Sequence, residues 1–197
     1  MKNQFRKKLD TNNCKRMKAP TSYHIQNPDI VFKELNLKLG DIFLDIGCGA
    51  GDYSIHASKI VGVSGKVYSL DKPEETIKIF KEKISKLKIH NIETKVSDIT
   101  KELPLEDSSI DVCLVSTVLH AINFDKYKET VFKEIYRVLK PFGRLITIDC
   151  SKKDLSFGPP ESMRLDSEEI EKTAKQTGFK KINHIDLGFN YLNRFEK

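Results

Sequence analysis

Residues 43–54 read Phe-Leu-Asp-Ile-Gly-Cys-Gly-Ala-Gly-Asp-Tyr-Ser, and no other stretch restricts the fold as strongly. Ile42, Phe43, Leu44 and Ile46 form a short apolar run of the kind a parallel sheet buries on both faces. The run breaks into glycines at alternate positions, Gly47, Gly49 and Gly51, and a helix-like segment with Ile55, Ala57, Ser58 and Val61 follows. Strand, glycine turn and helix start together let backbone approach a nucleotide-like ligand with no Cβ in the way. A dinucleotide fingerprint needs another glycine three residues after Gly49, and Asp52 stands there instead. Asp45, two residues before the first glycine, puts a carboxylate at the strand end. That group suits an ammonium or a bridging water, which a pyrophosphate would not want.

A second acid follows at the right interval. Val67-Tyr-Ser-Leu70 behind Lys66 reads as another buried strand and ends in Asp71, about 20 residues past the glycines. At that distance a βαβ unit brings the next strand end beside the first. A carboxylate there can accept hydrogen bonds from both ribose hydroxyls. Asp71 also precedes Pro73 and could cap a helix, and the two roles are compatible.

The rest alternates in the same way. Asn27-Pro28 opens a short helix bearing Ile30, Val31, Phe32 and Leu35, after a turn-rich stretch from Pro20 that includes Tyr23 and His24. Ile77, Phe80, Ile84 and Leu87 mark one face of a helix over 74–88, with lysines filling the other face. Residues 92–97 read as strand three, ending at Asp98, and 110–115 as strand four, with Ser116 to His120 at its C-terminal end. A helix starting near Asp125 carries Val131, Ile135 and Val138, and Pro141-Phe142-Gly143 turns into strand five over 144–150. Asp166 or Ser167 caps a last helix. Two strands separated only by Gly188 then pair antiparallel. Buried strands alternating with amphipathic helices call for an α/β fold, a sheet covered on both faces and joined by right-handed crossovers.

From roughly Asn27 onward the chain resembles the class I S-adenosylmethionine-dependent methyltransferases, most closely the small UbiE-like (methyltransferase type 11) group. The likeness rests on Asp45-x-Gly-x-Gly-x-Gly51, on Asp71 and Asp98, on Asp111-Val-Cys-Leu-Val-Ser-Thr-Val-Leu-His120, and on Leu139-Lys-Pro-Phe-Gly-Arg-Leu145. Phe142 stands where that family's turn usually has a glycine. The resemblance implies a Rossmann-like, seven-stranded, mostly parallel sheet whose antiparallel C-terminal strand lies beside strand five. It implies S-adenosylmethionine across the C-terminal ends of strands one to four. Asp45 and the backbone of Gly47, Cys48, Gly49 and Gly51 would hold its methionine part, and Ser116 would approach that end from strand four. Asp71 would hold the ribose, with Lys72 beside the adenine and Asp98, aided by the Ile99 backbone, facing its amino group. His120 would be the base, if the acceptor needs one. The plainer role for a histidine at a strand end is to bond backbone and order the next loop. Tyr23, His24 and Arg164 are further candidates on the acceptor side.

Charge divides the chain at its start. The net charge is +6, and residues 1–18 hold seven basic residues against Asp10 alone, so the remainder is neutral. Residues 1–26 therefore read as a basic leader and 27–197 as the methyltransferase domain. Such a leader can contact RNA, acidic lipid or an acidic partner, or can be a solubilising end. Small-molecule methyl transfer is the leading function. A methyltransferase acting on RNA or protein through the leader, and a non-catalytic S-adenosylmethionine-binding module, are the alternatives. Nucleic acid is not the expected partner. No apolar run approaches the ~20 residues of a membrane span, and the start lacks a signal peptide's apolar region, so a cytoplasmic location is expected. Cys14, Cys48, Cys113 and Cys150 are too widely spaced for a zinc site or disulfide framework.

Overall fold

The structure is a computed structural model and describes residues 22–197. Most of the basic leader, with Cys14, lies outside them. The stretch read as turn-rich contains a one-turn helix, α1 (Ser22–Ile25). In α2 (Pro28–Leu35), the Asn27 side chain accepts the Asp29 N–H at 3.0 Å, and Pro28 occupies the first turn, where no donor is missed. There follow β1 (Ile42–Ile46), α3 (Asp52–Val61), β2 (Lys66–Asp71), α4 (Glu74–Lys86), β3 (Ile92–Val96) and β4 (Ile110–Ser116). Next come α5 (Phe124–Val138), β5 (Leu139–Cys150), α6 (Ser167–Thr177), β6 (Lys180–Asp186) and β7 (Asn190–Glu196).

The seven strands form one sheet in the order β3-β2-β1-β4-β5-β7-β6. Strands β1 to β5 pair in parallel, while β7 lies antiparallel between β5 and β6. This is the arrangement the resemblance implies. The order reverses beside β1, so the crevice over β1 and β4 is where an open α/β sheet takes its ligand. Each face carries its own core. Val31, Ala57 and Phe80 from α2, α3 and α4 meet Phe43, Val67 and Ile146 on one side. Val131, Ile135 and Ile170 from α5 and α6 meet Leu44, Val115 and Leu145 on the other.

Local details differ from the sequence reading where a neighbour outcompetes propensity. The helix read as starting near Asp125 begins at Phe124, capped by Asn123, which accepts the Lys126 N–H at 3.2 Å, while Asp125 pairs with Lys128. Asp166 sits at the α6 cap position, but its carboxylate binds Lys152 at 2.6 Å. Leu87, placed by its spacing on the buried face, is 54% exposed because α4 ends at Lys86.

The turn before the buried part of β5 takes the conformation its unusual residue resists. Register jumps from Ile110↔Leu139 to Val112↔Arg144, looping residues 140–143 out. Phe142 sits at φ 64°, in the left-handed region, and is 79% exposed. A non-glycine residue there costs about 1 kcal/mol, and the exposed ring offsets little of it. Phe142→Gly is expected to raise the melting temperature by about 2–4 °C. A thermal scan showing no gain would mean that the ring contributes packing.

Candidate active site

After β1 the chain turns through Gly47, Gly49 and Gly51, at φ 73°, 51° and 76°. The N–H groups of Gly47 and Cys48 both donate to the Leu70 carbonyl, at 2.7 and 3.0 Å, and tie the loop to β2. Crowding adds to the demand for glycine at two positions. A Cβ on Gly47 would lie 2.1 Å from a Val118 methyl, and one on Gly51 would lie 2.0 Å from the Phe80 ring. A Cβ on Gly49 would meet nothing within 4 Å. Gly49 thus faces open space, whereas Gly51 begins α3 and admits Phe80. Gly51→Ala combines backbone strain with overpacking, about 2–4 kcal/mol together. The melting temperature should fall by about 5–15 °C. An unchanged value would show that Phe80 can move aside.

Two cavities open over this loop. One, about 200 Å³, is lined by Asp45, Gly49, Ser116, Tyr53, Ser22 and Tyr23 among others. The second, about 590 Å³, is lined by Asp71, Lys72, Asp98, Ile99, Val118 and Tyr127 among others. Gly47 and Thr117 belong to both walls, so the cavities adjoin. Thr117 is held at φ 56°, a strained state for a β-branched residue, by its N–H bond to the Ile148 carbonyl at 2.7 Å. A larger space, about 880 Å³, lies under the N-terminal ends of β1 and β2, beside Ile42, Lys66 and His90. It contains none of the acids at the strand ends.

The small cavity is roofed by the segment before α2. Ser116 and Ser22 hydroxyls lie 3.2 Å apart, and the Tyr23 hydroxyl meets His56 Nδ1 at 3.0 Å. Burial, then Lys59, lowers the His56 pKa, which favours the neutral ring. Tyr23 therefore stands on the small-cavity side, and His24 lies 3.9 Å from Asp52, which lines the same cavity.

Three carboxylates divide the cleft. Asp45 is buried and accepts the Ser54 hydroxyl at 2.5 Å, and Ser54 in turn accepts from Ser69 at 2.8 Å. Desolvation pushes the Asp45 pKa up to about 7, Asp71 adding to the rise and the Ser54 bond opposing it. Asp71 accepts the Gly49 N–H through Oδ2 and the Lys72 N–H through Oδ1, both at 2.8 Å. It does not cap α4, whose cap position is Pro73. Its carboxylate is engaged by the glycine loop instead. Asp98 binds Lys72 Nζ at 2.9 Å and accepts from Thr100 N and Oγ1. The lysine bond, then Thr100, lowers its pKa to about 2. Lys72 and Asp98 thus form one ion pair on the wall of the 590 Å³ cavity.

His120 lines neither cavity with its side chain, although Val118 and Ala121 on either side of it line the second. It sits in a 3-10 turn, Leu119–Ala121, with its side chain 12% exposed. Its Nδ1 is 2.5 Å from Asp149 Oδ1, and its backbone N–H donates to Asp149 Oδ2 at 3.2 Å. Asp149 escapes the sequence reading although its signal is plain. It is the one charged residue in the otherwise uncharged run Leu145-Ile-Thr-Ile-Asp-Cys150. Arg164 is a correction. Its buried guanidinium donates to the carbonyls of Ser151, Asp154, Phe157 and Pro159, and it lies 5.1 Å from the Phe189 ring centroid. It braces the loop after β5 and lines neither cavity.

Residues 37–193 match a methyltransferase domain family. Demethylmenaquinone methyltransferase of Oceanobacillus iheyensis is 37% identical over 62% of this chain and 50% of its own length. The Listeria monocytogenes protein of the same name is 33% identical over 71% of this chain and 58% of its own. The chain thus spans little more than half the length of these curated relatives. A solved SAM-dependent methyltransferase from Aquifex aeolicus superposes with a TM-score of 0.79 at 31% identity, covering 87% of this chain and 90% of that one. With the glycine loop, the acids at the strand ends and the sheet order described above, the chain belongs to the class I S-adenosylmethionine-dependent methyltransferases.

Proposed function

We propose that the chain transfers a methyl group from S-adenosylmethionine to a small molecule, with a hydroxylated aromatic acceptor of the quinol kind as the first candidate. The observation that carries this reading is the pair of adjoining cavities at the glycine loop, with a carboxylate in each. The residues fit the donor. The Cβ-free face of Gly49 leaves a cradle, and the summed space is in the range that small-molecule sites occupy. Asp45 and Ser116 would take the methionine end, Asp71 the ribose, and Lys72, Asp98 and Ile99 the adenine. The donor supplies a methyl group already activated on a sulfonium, so the protein's main tasks are alignment and exclusion of water. Alignment alone is worth roughly 7–11 kcal/mol in the best intramolecular cases. His120, in the turn that follows β4 and Thr117, would remove the acceptor's proton. Demethylmenaquinone, the substrate in the relatives' names, supports the acceptor class, its reduced form being the nucleophile.

Calorimetry should show S-adenosylmethionine and its demethylated product binding, and NAD not binding. A labelled-donor screen should transfer label to a short-chain demethylmenaquinol. Donor binding without transfer to any small molecule would leave only a binding module.

Asp45 makes donor binding depend on pH. An unfolded aspartate ionises near pH 3.8, and the folded one near 7. The raised pKa favours the folded state fully below pH 3.8, and this contribution is lost as pH climbs to about 7. An ammonium group beside Asp45 recruits its ionised form, so binding should release a proton near pH 6, where the donor's amine is already charged, and should take one up at about pH 9, where that amine is mostly neutral. Calorimetry in buffers of different ionisation enthalpy reads this directly. Asp45→Asn should abolish the release, and release persisting in that variant would move the coupling to another group.

A further inference from the structure

We propose that Asp149 is a positioning residue, holding His120 as the Nδ1–H tautomer so that Nε2 is the proton-accepting atom. The proposal rests on the transferase reading for the proton's origin, but not for the geometry. Asp149 is fully buried, on the α5–α6 side of β5, opposite Tyr191 of β7. Three nitrogens converge on it: His120 Nδ1 at 2.5 Å, and the N–H groups of His120 at 3.2 Å and Cys150 at 2.8 Å. Among the described residues no lysine or arginine forms an ion pair with it, and His120 is its one ionic partner.

An ionised carboxylate only accepts hydrogen bonds, so the shared proton is on Nδ1 and the neutral ring keeps its lone pair on Nε2. Two bonds to one carboxylate, from backbone and ring of the same residue, fix both the turn and the ring orientation. A merely structural tie to a 3-10 turn would not need a charge. Burying a carboxylate costs several kcal/mol, and a neutral acceptor such as asparagine could bond the same backbone N–H groups. The charge becomes useful when Nε2 takes a proton, because the resulting imidazolium then lies against a carboxylate. The balance closes without another reagent. The acceptor's O–H proton goes to Nε2, and the freed electron pair makes the bond to the methyl carbon. Attack comes from oxygen or from the ring carbon conjugated to it. In the second case the ring proton then leaves to solvent. The electron pair of the broken S–C bond stays on sulfur.

A metal is the competing use, since one ligand atom each from His120, Asp149 and Cys150 lie within 4.8 Å of one another. Burial, with Asp149 adding, pushes the Cys150 thiol up to about 11, and metal would have to displace the existing imidazole–carboxylate bond. The hydrogen-bonded pair is the better fit.

The test is a long-range proton–nitrogen correlation spectrum of the full chain labelled at histidine nitrogens, with no donor or acceptor added. His120, assigned by its disappearance in His120→Gln, should show a protonated Nδ1 and a bare Nε2. In Asp149→Asn the side-chain amide can donate to Nδ1, so the tautomer should switch to Nε2–H. Donor affinity should stay within about twofold, and turnover of a short-chain demethylmenaquinol should fall about 10²-fold or more. An Nε2–H tautomer in the wild type overturns the proposal, and this measurement does not depend on any variant folding. A switched tautomer with full turnover also overturns it. Wild-type protein with the expected tautomer but no methyl transfer would count against the transferase reading alone.

Discussion

Asp71→Ala is expected to weaken S-adenosylmethionine binding by about 1–3 kcal/mol, up to roughly a hundredfold in Kd. The carboxylate has two duties that the substitution removes together. It would accept the ribose hydroxyls, and it already accepts the Gly49 N–H at 2.8 Å, which holds the glycine loop against the end of β2. Asp71→Asn separates the two, because an amide oxygen still accepts from Gly49 while the charge is gone. It should fall between wild type and alanine. Asp71 is only half-buried, so the free variants should melt close to wild type, and the loss should appear in the calorimetric Kd. Equal affinity in all three proteins would take Asp71 out of the site.

Features defined by local spacing are legible in the sequence alone. Asp45, the three glycines and Asp71 fall along a single strand–turn–helix–strand unit, and the chain's own periodicity locates each element. Neighbour relations across the sheet are not legible in that way. His120 lies in the turn after β4 and Asp149 near the end of the adjacent parallel strand β5, and they meet only because those strands pair with Ser116 opposite Ile148. Nothing in either strand's own pattern announces the other. Lys72 and Asp98 read as separate contacts to one ligand, yet they bind each other at 2.9 Å. Arg164 misleads for a related reason. An arginine after the Gly158-Pro159-Pro160 loop reads as a candidate to fold over the acceptor, but the loop folds back so that four carbonyls take its donors. Backbone strain is equally hidden. Phe142 can be flagged because a glycine is expected there, whereas Thr117 at φ 56° has no such marker.

His120→Ala is expected to leave donor affinity nearly intact and to lower turnover by about 10²-fold or more. The first half follows from position, since the His120 side chain belongs to neither wall of the donor cleft, although Thr117, Val118 and Ala121 do. The second follows from its partner. A ring pinned through Nδ1 to a buried carboxylate has one nitrogen left for chemistry, and its 12% exposure leaves little room for a solvent role. Removing the ring also strips Asp149 of its ionic partner, which costs stability by leaving a buried carboxylate poorly satisfied. The variant should therefore melt lower than wild type, and activity must be compared at a temperature where both are folded. His120→Gln helps here, because its amide can donate to Asp149 but is too weak a base to take the proton. If glutamine restores the melting temperature and not the turnover, His120 acts as a base. If it restores both across about pH 6 to 9, the range over which an imidazole base would lose its proton, His120 orders the turn and the proton leaves by another route.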